Sequence, residues 1–203
     1  MPAKWFLIGF VAFPVLACVA GWVALKARAD GFSARAQPLQ FETLLATEAR
    51  KLAIPAGAKA RTNPVRDSPE VLAEARAHWA DHCSVCHAND GSGNTVMGKQ
   101  MYPPAPDMRE ARTQQLTDGE LFYIIENGIR LSGMPAWGAP GGDQQDSWRL
   151  VRFIRRLPRL SAREVREMEQ MNPKSPDELK EEQEEKEFLN GGQIHEPQPH
   201  HHH

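Results

Sequence analysis

The sequence lacks the features that define several common classes of protein. It contains three cysteines, one near the N-terminus and two spaced as CxxC, which is too few for a scaffold of paired disulfides. The formal net charge is −2, whereas a chain that binds nucleic acid usually has a strongly basic balance, so no nucleic-acid partner is expected. No stretch shows the polar-apolar alternation of a β-strand, and this favours an all-α fold.

Long uncharged runs are also scarce, and the exception lies at the N-terminus. Residues Trp5 to Leu25 contain no charged side chain, and a helix of that length can cross about 30 Å of hydrocarbon, so residues 1–29 are predicted to be a transmembrane anchor. A cleaved signal peptide is the alternative, because Ala27-Arg28-Ala29 resembles a small-x-small cleavage site. Lipidation at Cys18 is a further alternative, although the apolar run continues beyond it.

The rest of the chain divides by composition into four parts. Residues 30–67 are predicted to be a linker, with one amphipathic helix over Phe41 to Leu52 and an extended lead-in from Ile54 to Asp67. A folded domain is expected over residues 68–158. A charged helical tail over 159–189 and a disordered His-rich end over 190–203 complete the predicted organisation.

Helix-start signals place at least three helices in the folded domain. Ser68-Pro69-Glu70 predicts a helix that runs to about Cys83, and the capping box Thr117-Asp118-Gly119-Glu120 predicts a second that stops at Gly128. A third is expected from Asp143–Ser147 to Leu157. Because about 90 residues form a small core, a bound cofactor is expected to complete it.

Cys83, Cys86 and His87 form a C-x-x-C-H motif, which indicates covalent attachment of haem. Two thiols at this spacing can add to the two vinyl groups on one edge of the ring, and the adjacent imidazole can then bind the iron. The alternatives are a zinc half-site that uses the two cysteines with His82 or His87, and a thioredoxin-like redox pair. Zinc would require a second CxxC or a spaced His pair, and the redox pair a βαβ setting.

Met134 is the best candidate for the second axial ligand of a six-coordinate iron. It lies in Ser132–Gly138, where glycine and proline fix an irregular backbone that can present a thioether. Methionine at this position raises the reduction potential relative to histidine. The competing methionines, which are expected to pack within the loop, are Met97, Met101 and Met108.

Over about Ser68 to Leu157 the chain resembles the small monohaem c-type cytochromes with His/Met ligation, in their membrane-anchored bacterial form. The specific landmarks are the CxxCH motif and Met134-Pro135 in a GMPxW-like loop. The resemblance implies a small all-α cytochrome c fold around one covalent haem c. It also implies that the first helix crosses the last near Ala75, Trp79 and Phe153.

One feature departs from the family pattern. The proline whose carbonyl usually accepts the N–H of the proximal histidine often follows the motif closely, whereas here Pro103 and Pro104 lie well beyond His87. Either proline is a candidate for this role. Tyr102 and Trp137 are candidates for a hydrogen bond to a haem propionate, with ring packing as the alternative.

The expected function is one-electron transfer between membrane respiratory components and a periplasmic partner, without catalysis. The alternatives are a cytochrome subunit of a membrane oxidoreductase complex, and a haem or metal sensor. A sensor would draw on His195 and His200 to His203, which resemble either a metal-binding tract or a partial purification tag. The arginine run from Arg149 to Arg166 is either a docking surface or a solvated helix face.

Overall fold

The computed structural model describes residues 2–27, 33–139 and 141–189. The predicted disordered end and its histidines lie outside these residues. Within them all regular structure is helical, which is consistent with a small all-α cytochrome c fold. The α-helices are α1 (Pro2–Ala27), α2 (Gln40–Ala53), α3 (Ala56–Lys59), α4 (Pro69–His78), α5 (Ser84–His87), α6 (Val96–Gln100), α7 (Ala111–Gln114), α8 (Asp118–Asn127), α9 (Gln145–Arg156), α10 (Ala162–Glu169) and α11 (Pro176–Leu189).

The N-terminal run forms α1, but its predicted role in the membrane is not supported. Within the described residues, none of the helices combines the length and the apolar character that crossing a membrane requires. Cys18 lies exposed on this helix with a free thiol.

The predicted linker is more structured than its composition suggested. The amphipathic helix expected over Phe41 to Leu52 is present as α2. The lead-in that follows is not simply extended, because it contains α3, and the hydroxyl of Thr117 at the start of α8 donates to the carbonyl of Lys59 at 3.0 Å. Asn63 Nδ2 donates to the carbonyl of Trp148 on α9 at 2.9 Å. These bonds hold the lead-in against the domain.

The core lies where α4 crosses α9. Ala75 is 1% exposed at this crossing, and its small side chain lets the two helices approach closely. The rings of Trp79 and Phe153 meet at a centroid distance of 5.5 Å. Phe122 on α8 stacks on Trp148 at 4.0 Å. The predicted crossing near Ala75, Trp79 and Phe153 is therefore confirmed.

The capping residues act as the sequence predicted. Ser68 Oγ accepts from the backbone N–H of Val71 at 3.2 Å, which satisfies one free donor at the start of α4. Thr117 and Glu120 form a reciprocal capping box at the start of α8.

The charged composition of the tail over 159–189 predicts that it is solvated, and this prediction is correct only in part. Met168 on α10 is 0% exposed and belongs to the core. Arg76 on α4 and Glu167 pair at 3.3 Å across the same contact. In contrast, α11 has no buried residue. Although the sequence of α10 is mostly polar, the buried side chain of Met168 is enough to hold this helix against the core.

Candidate functional site

The CxxCH motif directly continues helix α4. A π-helical turn over Trp79–Cys83 joins α4 to α5, which contains Cys86 and His87. The indole Nε1 of Trp79 donates to the carbonyl of Ala88 at 3.0 Å, so the core aromatic is bonded to the residue after the motif. Ala88 has a positive φ of 60°, and the chain turns away from the helix there. The motif is therefore fixed at both ends.

The two motif cysteines are free, and burial keeps them protonated. Cys83 packs against the core, and this burial, reinforced by the neighbouring Cys86, raises the pKa of its thiol to about 12. Burial also raises the pKa of Cys86.

His87 offers a neutral imidazole in the same place. Burial lowers its pKa to about 4, so the ring is uncharged at neutral pH, which is the form that binds a metal. Its Nδ1 is buried and has no hydrogen-bond partner. The carbonyls proposed as acceptors for this atom, those of Pro103 and Pro104, therefore do not accept from it in this structure.

The loop that carries Met134 is anchored to the end of α8. The backbone N–H of Ile129 donates to the carbonyl of Met134 at 3.1 Å, and Ser132 Oγ accepts from the Met134 N–H at 3.2 Å. The loop crosses closely over Gly128, where an added Cβ would lie 2.6 Å from the carbonyl carbon of Pro135. Gly128 has a positive φ of 65°, so both its backbone and this crossing require glycine.

Tertiary structure brings the Met134 loop to the CxxCH segment. His82 lies next to Cys83 in sequence, and its ring meets Trp137 edge-on at a centroid distance of 5.4 Å. A contact between these two residues was not predicted from the sequence. It joins two segments that lie about 50 residues apart in the chain.

The competing methionines occupy different places. Met101 contacts the Met134 loop, since its sulfur lies 2.5 Å from where a Cβ on Gly133 would be. Met97 is exposed on α6 rather than packed within the loop, and Met108 packs against the core. Met101 is therefore the one rival that shares the location of Met134.

Gly98 lies against the backbone of the motif at Cys86, and it was not identified from the sequence. It lies in α6, whose start is capped by Thr95, and Gly98 N–H donates to Thr95 Oγ1 at 2.8 Å. A Cβ at this position would overlap the carbonyl oxygen of Cys86. Because Gly98 has no side chain, α6 can pack directly against α5.

Tyr102 and Trp137 differ in how their polar atoms are used. The Tyr102 hydroxyl donates to Glu42 Oε1 on α2, so it already has a partner within the protein. Trp137 remains 42% exposed, and its role towards a propionate stays a prediction.

The site has the donors and the apolar surface that a haem would use. The donor set is two neutral thiols and a neutral imidazole with a thioether on the facing loop. Large apolar side chains that normally avoid water are exposed on the segments that meet here, namely Val85, Val96, Met97, Leu131 and Trp137. Within the described part of the chain, no three His, Cys, Asp or Glu side chains cluster to hold a metal ion by themselves. The residues present therefore fit a haem and give the zinc alternative no ligand set.

Comparison with known proteins agrees with this chemistry over the central part of the chain. Residues 70–154 match the family model described as cytochrome C oxidase, cbb3-type, subunit III. A search of curated proteins gave no match. The match ends just before the end of α9, so α10 and α11 lie beyond it.

Proposed function

We propose that this chain, whose residues 70–154 match a model of a c-type cytochrome domain family, carries one haem covalently and transfers single electrons. The family implies a haem protein that carries electrons rather than a catalyst. The proposal adds thioether attachment at Cys83 and Cys86 and axial ligation by His87 and Met134.

The contact between His82 and Trp137 is the observation that carries the proposal. It holds the loop of Met134 beside the CxxCH segment at a centroid distance of 5.4 Å. A His/Met-ligated iron needs donors from two distant parts of the chain in one place, and this contact supports that arrangement.

Each residue of the site has a distinct task in this proposal. The thiols of Cys83 and Cys86 would hold the haem covalently, and the neutral imidazole of His87 would bind its iron. The thioether of Met134 would supply the second protein ligand to the iron, which would leave no open site for a substrate. The haem supplies one-electron cycling of its iron, while the protein sets the potential through ligand identity and burial.

The test is to produce the full chain together with a cytochrome c maturation system and to measure covalent haem by intact mass. One haem per chain is expected, and the Cys83→Ser/Cys86→Ser variant should lose it. If that variant still carries stoichiometric, non-extractable haem, the proposed attachment is wrong.

The axial ligand is tested with a matched pair of methionine variants. The oxidised protein should show a far-red sulfur-to-iron band, which Met134→Ala abolishes and Met101→Ala retains. The opposite result would assign the ligand to Met101. Rapid reaction of the unchanged protein with carbon monoxide would reveal an open iron and contradict the carrier function.

The family description favours a respiratory complex as the partner. We therefore propose that the domain works outside the cytoplasm and is attached to the membrane through a membrane oxidoreductase. Native electrophoresis of solubilised membranes should show the haem-stained chain migrating with an oxidase. Recovery of the chain entirely in the soluble periplasmic fraction would contradict the attachment.

A further inference from the structure

The π-helical turn before the motif changes the hydrogen bonding of the Ala80 carbonyl. In an α-helix this oxygen would accept from the backbone N–H of Ser84. In the π-helical turn that N–H donates to the backbone carbonyl of Trp79 instead. The side chain of Ser84 compensates, because its hydroxyl donates to the Ala80 carbonyl at 2.7 Å. Ser84 is buried at 5% exposure and lies between the two motif cysteines.

A second polar side chain is buried just after the motif. Asn89 is 8% exposed and lies two residues beyond His87. A buried amide without partners destabilises the fold, so both of its polar atoms need hydrogen bonds.

Asn172 supplies the missing bonds from outside the matched domain. With its amide oriented to satisfy its neighbours, Oδ1 accepts from Asn89 Nδ2 at 3.0 Å and Nδ2 lies 2.9 Å from Asn89 Oδ1. The same Nδ2 lies 3.1 Å from the Ala80 carbonyl. One side chain therefore contacts the haem-attachment segment on both sides of the motif.

The position of Asn172 is fixed by α10, which precedes it. Met168 is fully buried in the core, and its carbonyl lies 3.1 Å from Asn172 Nδ2. Arg156 on α9 and Glu164 on α10 pair at 3.4 Å. The amide thus approaches the motif from a docked element rather than from a free tail.

We propose that Asn172 is a positioning residue for the haem-attachment segment, and that residues 161–172 form a lock on it. This inference rests on the proposed function for its meaning, since the segment it fixes carries Cys83, Cys86 and His87. By holding Ala80 and Asn89, which lie on either side of the motif, the lock keeps the segment in place and limits the access of water to the iron. Loss of the lock should therefore change the reduction potential as well as the stability of the protein.

The experiment compares Asn172→Leu with the control Gln170→Ala in the full-length protein with haem attached. Leucine keeps the approximate size of asparagine and removes its polar atoms, whereas Gln170 is an exposed amide on the same segment. Asn172→Asp is the second variant, because it keeps the acceptor oxygen but replaces the donor with a carboxylate oxygen that faces the carbonyl of Ala80. Amide hydrogen exchange is measured by peptide, and the reduction potential is measured for each variant.

Asn172→Leu should accelerate exchange over residues 79–89 by on the order of tenfold, as expected when buried hydrogen bonds are lost locally. Exchange in α8 should stay at the level of the control. The reduction potential should fall, because water stabilises the more highly charged ferric state. Asn172→Asp should change both quantities in the same direction by at least as much, because its carboxylate faces acceptor oxygens and its negative charge also favours the ferric state.

Two outcomes would overturn the lock. Exchange over 79–89 equal to that of Gln170→Ala would show that Asn172 fixes nothing there, and uniform acceleration across all helices would show a general loss of stability. Absence of covalent haem from the unchanged protein would instead contradict the proposed function, while the exchange comparison would still decide the lock.

Discussion

The indole Nε1 of Trp79 donates to the carbonyl oxygen of Ala88 at 3.0 Å. This bond joins the core at the α4–α9 crossing to the residue that immediately follows the CxxCH motif. It explains how a short motif at the end of a helix is held without an adjacent strand or disulfide.

Replacing Trp79 with phenylalanine should therefore destabilise the fold. The carbonyl of Ala88 would lose its donor, and Trp79 is only 2% exposed, so the expected loss is about 2 kcal/mol in the free energy of unfolding. Denaturant unfolding measures this value. Trp137→Phe, at the more exposed tryptophan, should change stability by less than about 0.5 kcal/mol; equal losses for the two variants would contradict this account.

Gly98 tests how closely α6 must pack beneath the motif. Gly98→Ala should destabilise the protein by roughly 2 kcal/mol or more, because the new Cβ overlaps the carbonyl oxygen of Cys86 and the backbone must move. It should also lower the yield of covalent haem, measured by intact mass. The matched control is Gly57→Ala in α3, where nothing lies within 4 Å of the added Cβ, and that variant should be neutral or stabilising. Normal stability and haem yield in Gly98→Ala would show that α6 can shift freely.

Ala75 tests the helix crossing. Ala75→Leu should destabilise the fold by about 1–3 kcal/mol, because a larger side chain forces α4 away from α9. The measurement is again denaturant unfolding, with Ala77→Leu on the exposed face of the same helix as the control. A loss in Ala77→Leu as large as in Ala75→Leu would mean that helix propensity, not the crossing, determines the result.

Before haem is attached, while its imidazole is not bound to iron, His87 predicts a specific dependence of stability on pH, to be measured on the chain produced without a maturation system. Its pKa is lowered from 6.5 to about 4 in the folded protein, so between these values the unfolded chain binds a proton that the folded chain does not. The stabilisation is therefore fully present above pH 6.5 and is lost as pH falls towards 4, with a total of about 3 kcal/mol.

Unfolding free energies from pH 8 to pH 4 measure this effect. His87→Asn should remove this part of the slope. His78→Gln should retain it, although burial and the nearby His82 also lower the pKa of His78. An unchanged slope in His87→Asn would show that other groups cause the acid sensitivity.

Much of the fold follows from local signals that do not need tertiary contacts. Ser68, Thr117 and Glu120 cap helices through bonds to atoms within three residues, so their role is visible in the sequence. The CxxCH motif is equally local. In contrast, the lead-in before α4 was expected to be extended, whereas it contains α3 and is bonded to Thr117. Helix α10 was expected to belong to a solvated tail because its composition is polar, whereas Met168 binds it to the core.

The sequence by itself determined the helical class, the attachment motif and the candidate methionine, because each depends on residue type and short spacing. Tertiary structure alone decided that Met101 joins Met134 at the site, that the Tyr102 hydroxyl is engaged by Glu42, and that Asn172 reaches Asn89. The physical reason is that these contacts join parts of the chain dozens of residues apart. They form only after the apolar faces of α4 and α9 have packed and fixed where each loop must pass.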